Sequence, residues 1–153
     1  NMMMELLFPE SLLITPNSSE ARQLVSNEEN PSNLPIELCV DRFKEMGCEN
    51  ILITGTHENT ENVINTLYNS SNQIIPFHWD RLPGSYHGSG CTLTAAISAY
   101  YALGLSIDEA VEEAQHFTWQ ALKNGFKPGM GQFIPNRFFR DNNYEDDGKL
   151  THH

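Results

Sequence analysis

Ser11-Leu12-Leu13-Ile14-Thr15-Pro16-Asn17-Ser18-Ser19-Glu20-Ala21 is the stretch on which the fold turns. The apolar run over residues 11–15 has the length of a buried strand, and Pro16 stops it. Asn17 then stands where a helix N-cap is expected, with Glu20 three residues on, so each side chain can satisfy the other's backbone N–H. The helix carries on through Val25. A strand that hands over to a helix across one short loop is the unit from which α/β proteins are built.

The pattern repeats outward. Residues 27–33 are polar, contain Pro31, and read as a surface loop. Over residues 35–46, Ile36, Cys39, Val40, Phe43 and Met46 recur at helical spacing, and Gly47 sits where a C-terminal cap belongs. Asn50-Ile51-Leu52-Ile53-Thr54 is a second buried strand. Residues 62–68 and 73–79 bracket the polar turn Asn69-Ser70-Ser71-Asn72 and predict a hairpin. An irregular stretch over 80–86 holds Pro83 and Gly84. Residues 88–103 form a mostly apolar helix closed by Gly104, expected to be buried on most faces. Ser106-Ile107-Asp108-Glu109 is a capping box, behind which Ile107, Ala110, Val111, Ala114, Phe117, Thr118, Ala121 and Leu122 trace one helix face. The acidic segment after Phe139 reads as a disordered tail over 140–153, and His152-His153 as the remnant of a tag. In an α/β protein ligands gather at the carboxyl ends of strands, which selects the loops after Thr15 and Thr54 and the helix entry at Gly88.

The 153 residues are one domain's worth of chain. Nine Lys and Arg against twenty Asp and Glu give a formal charge of −11, and no segment concentrates the positive residues. Nucleic acid and anionic membranes are thereby disfavoured as partners. With 39% hydrophobic and 19% charged residues, the composition is that of a soluble globular protein. No apolar run reaches the ~18 residues of a spanning helix, and no signal peptide is visible, so the cytoplasm is the expected location. Three cysteines, Cys39, Cys48 and Cys91, with no C-x-x-C spacing fit a reducing compartment. The opening Asn1-Met2-Met3-Met4 suggests a processed or truncated product.

Gly88-Ser89-Gly90-Cys91 opens an apolar helix, where glycines let backbone N–H groups face an anion and the helix dipole adds partial positive charge. The plainer reading is a Gly-rich turn that starts a helix. Cys91, in the first turn, is placed either as a thiolate for proton transfer or as a small hydrophobe in the core. Asn17 and Glu20 are a capping device, or an amide and a carboxylate placed to hold Mg²⁺ or its waters. Thr54-Gly55-Thr56-His57 is a strand end that can line a nucleotide with hydroxyls, or a simple turn. His57, His78 and His87 with Cys91 lack convincing zinc-ligand spacing. A Cys–His hydrolase built on Cys91 lacks a readable orienting group.

Taken in order, three motifs resemble a known family: Thr15-Pro16-Asn17-Ser18-Ser19-Glu20-Ala21, Ile51-Leu52-Ile53-Thr54-Gly55-Thr56-His57 and Tyr86-His87-Gly88-Ser89-Gly90-Cys91-Thr92-Leu93. They are similar to the carboxy-terminal half of the hydroxymethylpyrimidine/phosphomethylpyrimidine kinases of thiamine biosynthesis, members of the ribokinase-like superfamily. The similarity runs over residues 12–139 and includes Gly129-Met130-Gly131-Gln132 and Pro135-Asn136-Arg137. It implies a three-layer αβα sandwich of which residues 1–139 are the carboxy-terminal part, with the amino-terminal half of the domain missing. It implies an anion hole at Gly88, Ser89 and Gly90 around the transferred phosphoryl group. Cys91 stands where most relatives carry an aspartate base, which points to the pyrimidine kinases or to pyridoxal kinases with the same substitution. Asn17 and Glu20 take the Mg²⁺ and phosphate side, and Thr54 and Gly55 the ATP side.

The implied activity is ATP- and Mg²⁺-dependent phosphorylation of 4-amino-5-hydroxymethyl-2-methylpyrimidine and its monophosphate, by a homodimer as in many relatives. Pyridoxal or pyridoxine phosphorylation is the alternative, as is a non-catalytic nucleotide-binding fragment. Two departures stand out. Thr54 occupies a position where many family members have lysine, and no G-x-D-x-S-G-G strand-loop is present to build the pyrimidine pocket. A sheet with one apolar edge in need of cover is the structural expectation.

Overall fold

A computed structural model describes residues 8, 10–26, 33–55 and 60–140. They fall into two compact units that divide between Arg81 and Leu82. The expectations placed on Thr56, His57 and residues 141–153 lie outside the described residues.

The first unit carries helices α1 (Ser18–Val25) and α2 (Ile36–Glu45) and strands β1 (Ile51–Ile53), β2 (Asn62–Tyr68) and β3 (Ile74–Asp80). The strands form an antiparallel sheet in the order β1-β2-β3, with Ile51 opposite Tyr68 and Tyr68 opposite Ile74. The hairpin is the predicted one, and its turn is built by Asn69, whose side-chain carbonyl accepts from the N–H of Ser71 at 3.1 Å and of Gln73 at 2.9 Å. Pro76 is tolerated because β3 lies at an edge of the sheet. Ile74 on the same strand is 64% exposed.

The strand expected over residues 11–15 is reduced to parallel bridges, Ile14 with Ile51 and Asn17 with Thr54. The hydrogen bonds explain why. Ile14 N–H donates to Asn50 (3.1 Å), Leu52 N–H to Ile14 (2.9 Å), Thr54 N–H to Pro16 (3.0 Å) and Ser18 N–H to Thr54 (3.2 Å). The rung that Pro16 should donate does not exist, because proline has no N–H, and the ladder splits into separate bridges around it. Flanked by this segment on one side and β2 on the other, β1 is buried throughout. The core gathers Ala21, Cys39, Val40, Phe43, Cys48, Ile51 and Ile53, with Phe8 packed edge-on against Phe43 at 5.7 Å between ring centres. Burying a side chain of the size of Phe43 contributes roughly 1.5–3 kcal/mol.

The second unit carries α3 (Ser89–Ala102) and α4 (Ile107–Lys123), which pack on one another. Gly104, at φ +99°, closes α3 as the sequence predicts. The capping box of α4 forms in full, and hydrogen bonds from the Ser106 N–H and hydroxyl hold the Glu109 carboxyl below its usual range.

One expectation is corrected. α3 is apolar around most of its circumference, yet only Thr92, Leu93, Ala96 and Ile97 are buried, while Cys91, Thr94, Ala95, Ser98 and Ala99 are exposed. Apart from Tyr101, the exposed residues are small, and their contact with water costs little. After α4, residues 126–134 return as a strap. Phe126 and Ile134 exchange backbone hydrogen bonds of 3.1 and 3.0 Å, and Phe133 bridges Tyr86.

Candidate functional site

In the first unit, Asn17, Glu20, Thr54 and Gly55 come together at the carboxyl end of β1. Asn17 caps α1: its side-chain oxygen accepts from the Glu20 N–H at 2.8 Å, and Glu20 Oε2 accepts from the Asn17 N–H at 2.9 Å. The next N–H, that of Ser18, bonds the Thr54 carbonyl, so the capping box is tied to the strand end. Gly55 follows, its N–H donating to the buried Asn65 side chain at 3.0 Å. A Cβ there would strike the Ile64 carbonyl oxygen, so the close approach of β2 demands glycine. A groove of about 440 Å³ runs beside the cap, lined by Ile14, Thr15, Pro16, Glu20 and Leu24 among others.

Glu20 is exposed, and its second carboxylate oxygen has no partner among the described residues. Mg²⁺ usually keeps several waters and takes one or two carboxylates plus phosphate oxygens. A single free, solvent-facing carboxylate oxygen fits that habit. It does not fit a zinc cage, and no group of three or more His, Cys, Asp and Glu placed to hold a metal occurs among the described residues. Of the zinc arrangement that the sequence disfavours, His57 lies outside the described residues.

In the second unit, Gly88, Ser89, Gly90 and Cys91 form the turn and first residues of α3. Gly88 is the N-cap, in the left-handed region at φ +86°, with no side-chain cap. That conformation suits glycine and leaves the N–H groups of Ser89, Gly90 and Cys91 without a protein acceptor among the described residues. Gly90 and Cys91 are exposed, and a Cβ on Gly90 would meet nothing within 4 Å, so the space beside this turn is open. The arrangement can bind an oxyanion with backbone N–H groups at the positive end of a helix.

Cys91 is an exposed free thiol in this first turn, whereas Cys39 and Cys48 are buried. Burial pushes the Cys48 thiol up to about 11 and raises Cys39 as well, which makes both poor nucleophiles or bases. Of the three, Cys91 is the one that a substrate can reach.

Two residues escaped the sequence reading. Thr92, 3% exposed, donates its hydroxyl to the Gly88 carbonyl at 2.8 Å, and Arg137 Nε donates to that hydroxyl at 3.0 Å. Arg137 was visible only as part of Pro135-Asn136-Arg137, a motif without an assigned role. The strap brings it here: His87 N–H bonds Phe133 at 2.9 Å, Phe133 N–H bonds Ser85 at 2.8 Å and Asn136 N–H bonds Ala121 at 2.8 Å.

Comparison with known proteins shows the family and the fold. The profile of the phosphomethylpyrimidine kinase family matches residues 1–136. A hydroxymethylpyrimidine/phosphomethylpyrimidine kinase of Bacillus subtilis is 33% identical over 141 residues, 88% of this chain and 49% of the relative. A pyridoxine kinase of the same organism is 29% identical over 132 residues, 85% of this chain and 48% of the relative. Among solved structures, the pyridoxal kinase of Staphylococcus aureus in complex with AMP-PCP superposes with a TM-score of 0.79 at 29% identity, covering 88% of this chain and 50% of that one. The chain thus spans about half the length of the relatives it matches, and its α/β fold is ribokinase-like.

Proposed function

The chain belongs to the phosphomethylpyrimidine kinase family, and from that premise we propose that it is the phosphoryl-transfer part, the carboxy-terminal half, of a kinase that uses ATP and Mg²⁺. Its acceptor is 4-amino-5-hydroxymethyl-2-methylpyrimidine and then the monophosphate, with the amino-terminal half of the domain supplying the pyrimidine pocket. The observation that carries this reading is the start of α3, where Gly88 turns left-handed and the amides of Ser89, Gly90 and Cys91 have no protein acceptor among the described residues.

Phosphoryl transfer asks mainly for positioning and for neutralisation of charge on the transferred group. The amides of Gly88, Ser89, Gly90 and Cys91 stabilise that charge. Cys91 accepts the proton of the attacking hydroxyl. Thr54 and Gly55 line the ATP side. Glu20, through its free oxygen, holds Mg²⁺ and its waters, with Asn17 fixing the carboxylate by the capping bond. Mg²⁺ contributes neutralisation of the phosphate oxygens. The assembly acts as a homodimer in the cytoplasm, in keeping with three free cysteines; among the described residues no helix is long and apolar enough to cross a membrane.

The similarity to pyridoxine and pyridoxal kinases supports a second reading, in which the acceptor alcohol is pyridoxal or pyridoxine. The half-length match supports a third, a fragment that binds nucleotide without turnover. Assays with both alcohols, on the 153-residue chain and on the chain joined to an amino-terminal half, separate the three. The expected result is pyrimidine phosphorylation by the joined protein, with kcat lowered about 10²- to 10⁴-fold by Cys91→Ala and the KM for ATP unchanged. Undiminished turnover of that variant would remove Cys91 from the chemistry. ATP binding without phosphorylation of either alcohol in both forms would favour the fragment.

A further inference from the structure

Arg137 lies 45 residues from Thr92 in sequence, yet its Nε–H bonds the Thr92 hydroxyl at 3.0 Å. That hydroxyl has one proton, which it gives to the Gly88 carbonyl at 2.8 Å, so it can only accept from the arginine. The two bonds run in one direction, from the guanidinium through Thr92 to the residue that caps α3. A Cβ on Gly88 would lie 3.4 Å from Nη2, which puts a terminal nitrogen of Arg137 directly against the capping turn.

The backbone that delivers the arginine is itself fixed. Pro135 is buried, Asn136 N–H bonds Ala121 on α4, and the Asn136 side chain accepts from the Phe138 N–H at 3.1 Å. Among the described residues Nε is the only guanidinium nitrogen with a protein partner, and no carboxylate pairs with Arg137. In a chain of charge −11, an exposed arginine held through Nε, with unspent donors and no acidic partner among the described residues, stands out. A lock between strap and helix needs only the Nε bond. The unspent Nη groups lie beside the same helix start whose Ser89, Gly90 and Cys91 amides also have no acceptor among the described residues.

We propose that Arg137 is a phosphate-binding residue of this site, its Nη groups joining the amides of Ser89, Gly90 and Cys91 on one polyphosphate oxyanion while Thr92 fixes the angle of the fork. The inference rests on the phosphoryl-transfer reading above and adds to it a residue with a permanent charge. A planar fork held at one edge offers two parallel donors to a phosphate, which a lysine at the same place cannot.

The test uses inorganic tripolyphosphate with the ¹⁵N-labelled 153-residue chain, following the Ser89, Gly90 and Cys91 amides together with the Arg137 Nε–H resonance. All four are expected to shift along one binding curve. Arg137→Gln should weaken that binding at least about tenfold, the size expected for loss of a charge-assisted hydrogen bond. Arg137→Lys should fall between the two, and Lys123→Gln, which removes a charge elsewhere, should bind as the parent does. If the amides shift while Arg137 Nε does not, the arginine is a structural lock only and the inference falls with the kinase reading untouched. If the amides themselves do not respond, both fall. Should Arg137→Gln fail to fold, the Nε resonance of the unaltered chain still decides.

Discussion

Asn17 and Glu20 show how one pair of side chains can serve a fold and a site together. Each satisfies the other's backbone N–H, which accounts for their spacing without any ligand. The box, however, engages one oxygen of each side chain and leaves the second oxygen of Glu20 facing solvent. The two roles separate by substitution. Asn17→Ala removes the cap and should cost about 1 kcal/mol of stability in urea titration. Glu20→Gln keeps an oxygen for the Asn17 N–H, so its cost should stay within a few tenths of a kcal/mol, from the lost charge at the helix start. Its effect should fall on the gain in ATP affinity that Mg²⁺ provides, which should shrink severalfold. Equal destabilisation by both variants, with the Mg²⁺ effect intact, would reduce Glu20 to a capping residue.

At the scale of elements, what was legible in the sequence is what local rules decide. Both capping boxes, the Gly47 and Gly104 stops and the Asn69 turn each depend on groups within five residues of one another, and all are where the sequence put them. The strand at 11–15 was legible in position but not in form, since the rung lost at Pro16 matters only once its partner is known. The contact of Arg137 with Thr92 was not legible, because the strap that carries it closes over 45 residues. The burial of α3 was overread for a related reason: an apolar composition says that a helix can be buried, and its neighbours decide which face is. That face can be tested. Ala96 is buried and Ala99 exposed three residues on, so Ala99→Lys should change stability by less than about 0.5 kcal/mol and Ala96→Lys should cost roughly 3 kcal/mol or more. Comparable losses in the 153-residue chain would mean that the Ala99 face is covered in solution.

For the molecule as a whole, the net charge and the proposed ligand pull against each other. ATP is an anion, the chain carries −11, and the groups proposed to receive phosphate are neutral amides and one arginine. The amides and the helix dipole act over the first turn only, whereas the net charge acts over a Debye length, about 30 Å at 10 mM salt and about 8 Å at 150 mM. An approaching nucleotide therefore meets repulsion before it meets attraction at low salt, and screening removes the first while leaving the second. The association rate of ATP with this chain should rise as salt goes from 10 to 150 mM, the opposite of the steering seen in clefts lined with positive charge. Stopped-flow mixing with a fluorescent ATP analogue reads that slope directly. A rate that falls with salt would show that the local positive potential reaches beyond the field of the acidic surface, and would place more cations at the phosphate site than Arg137 alone supplies.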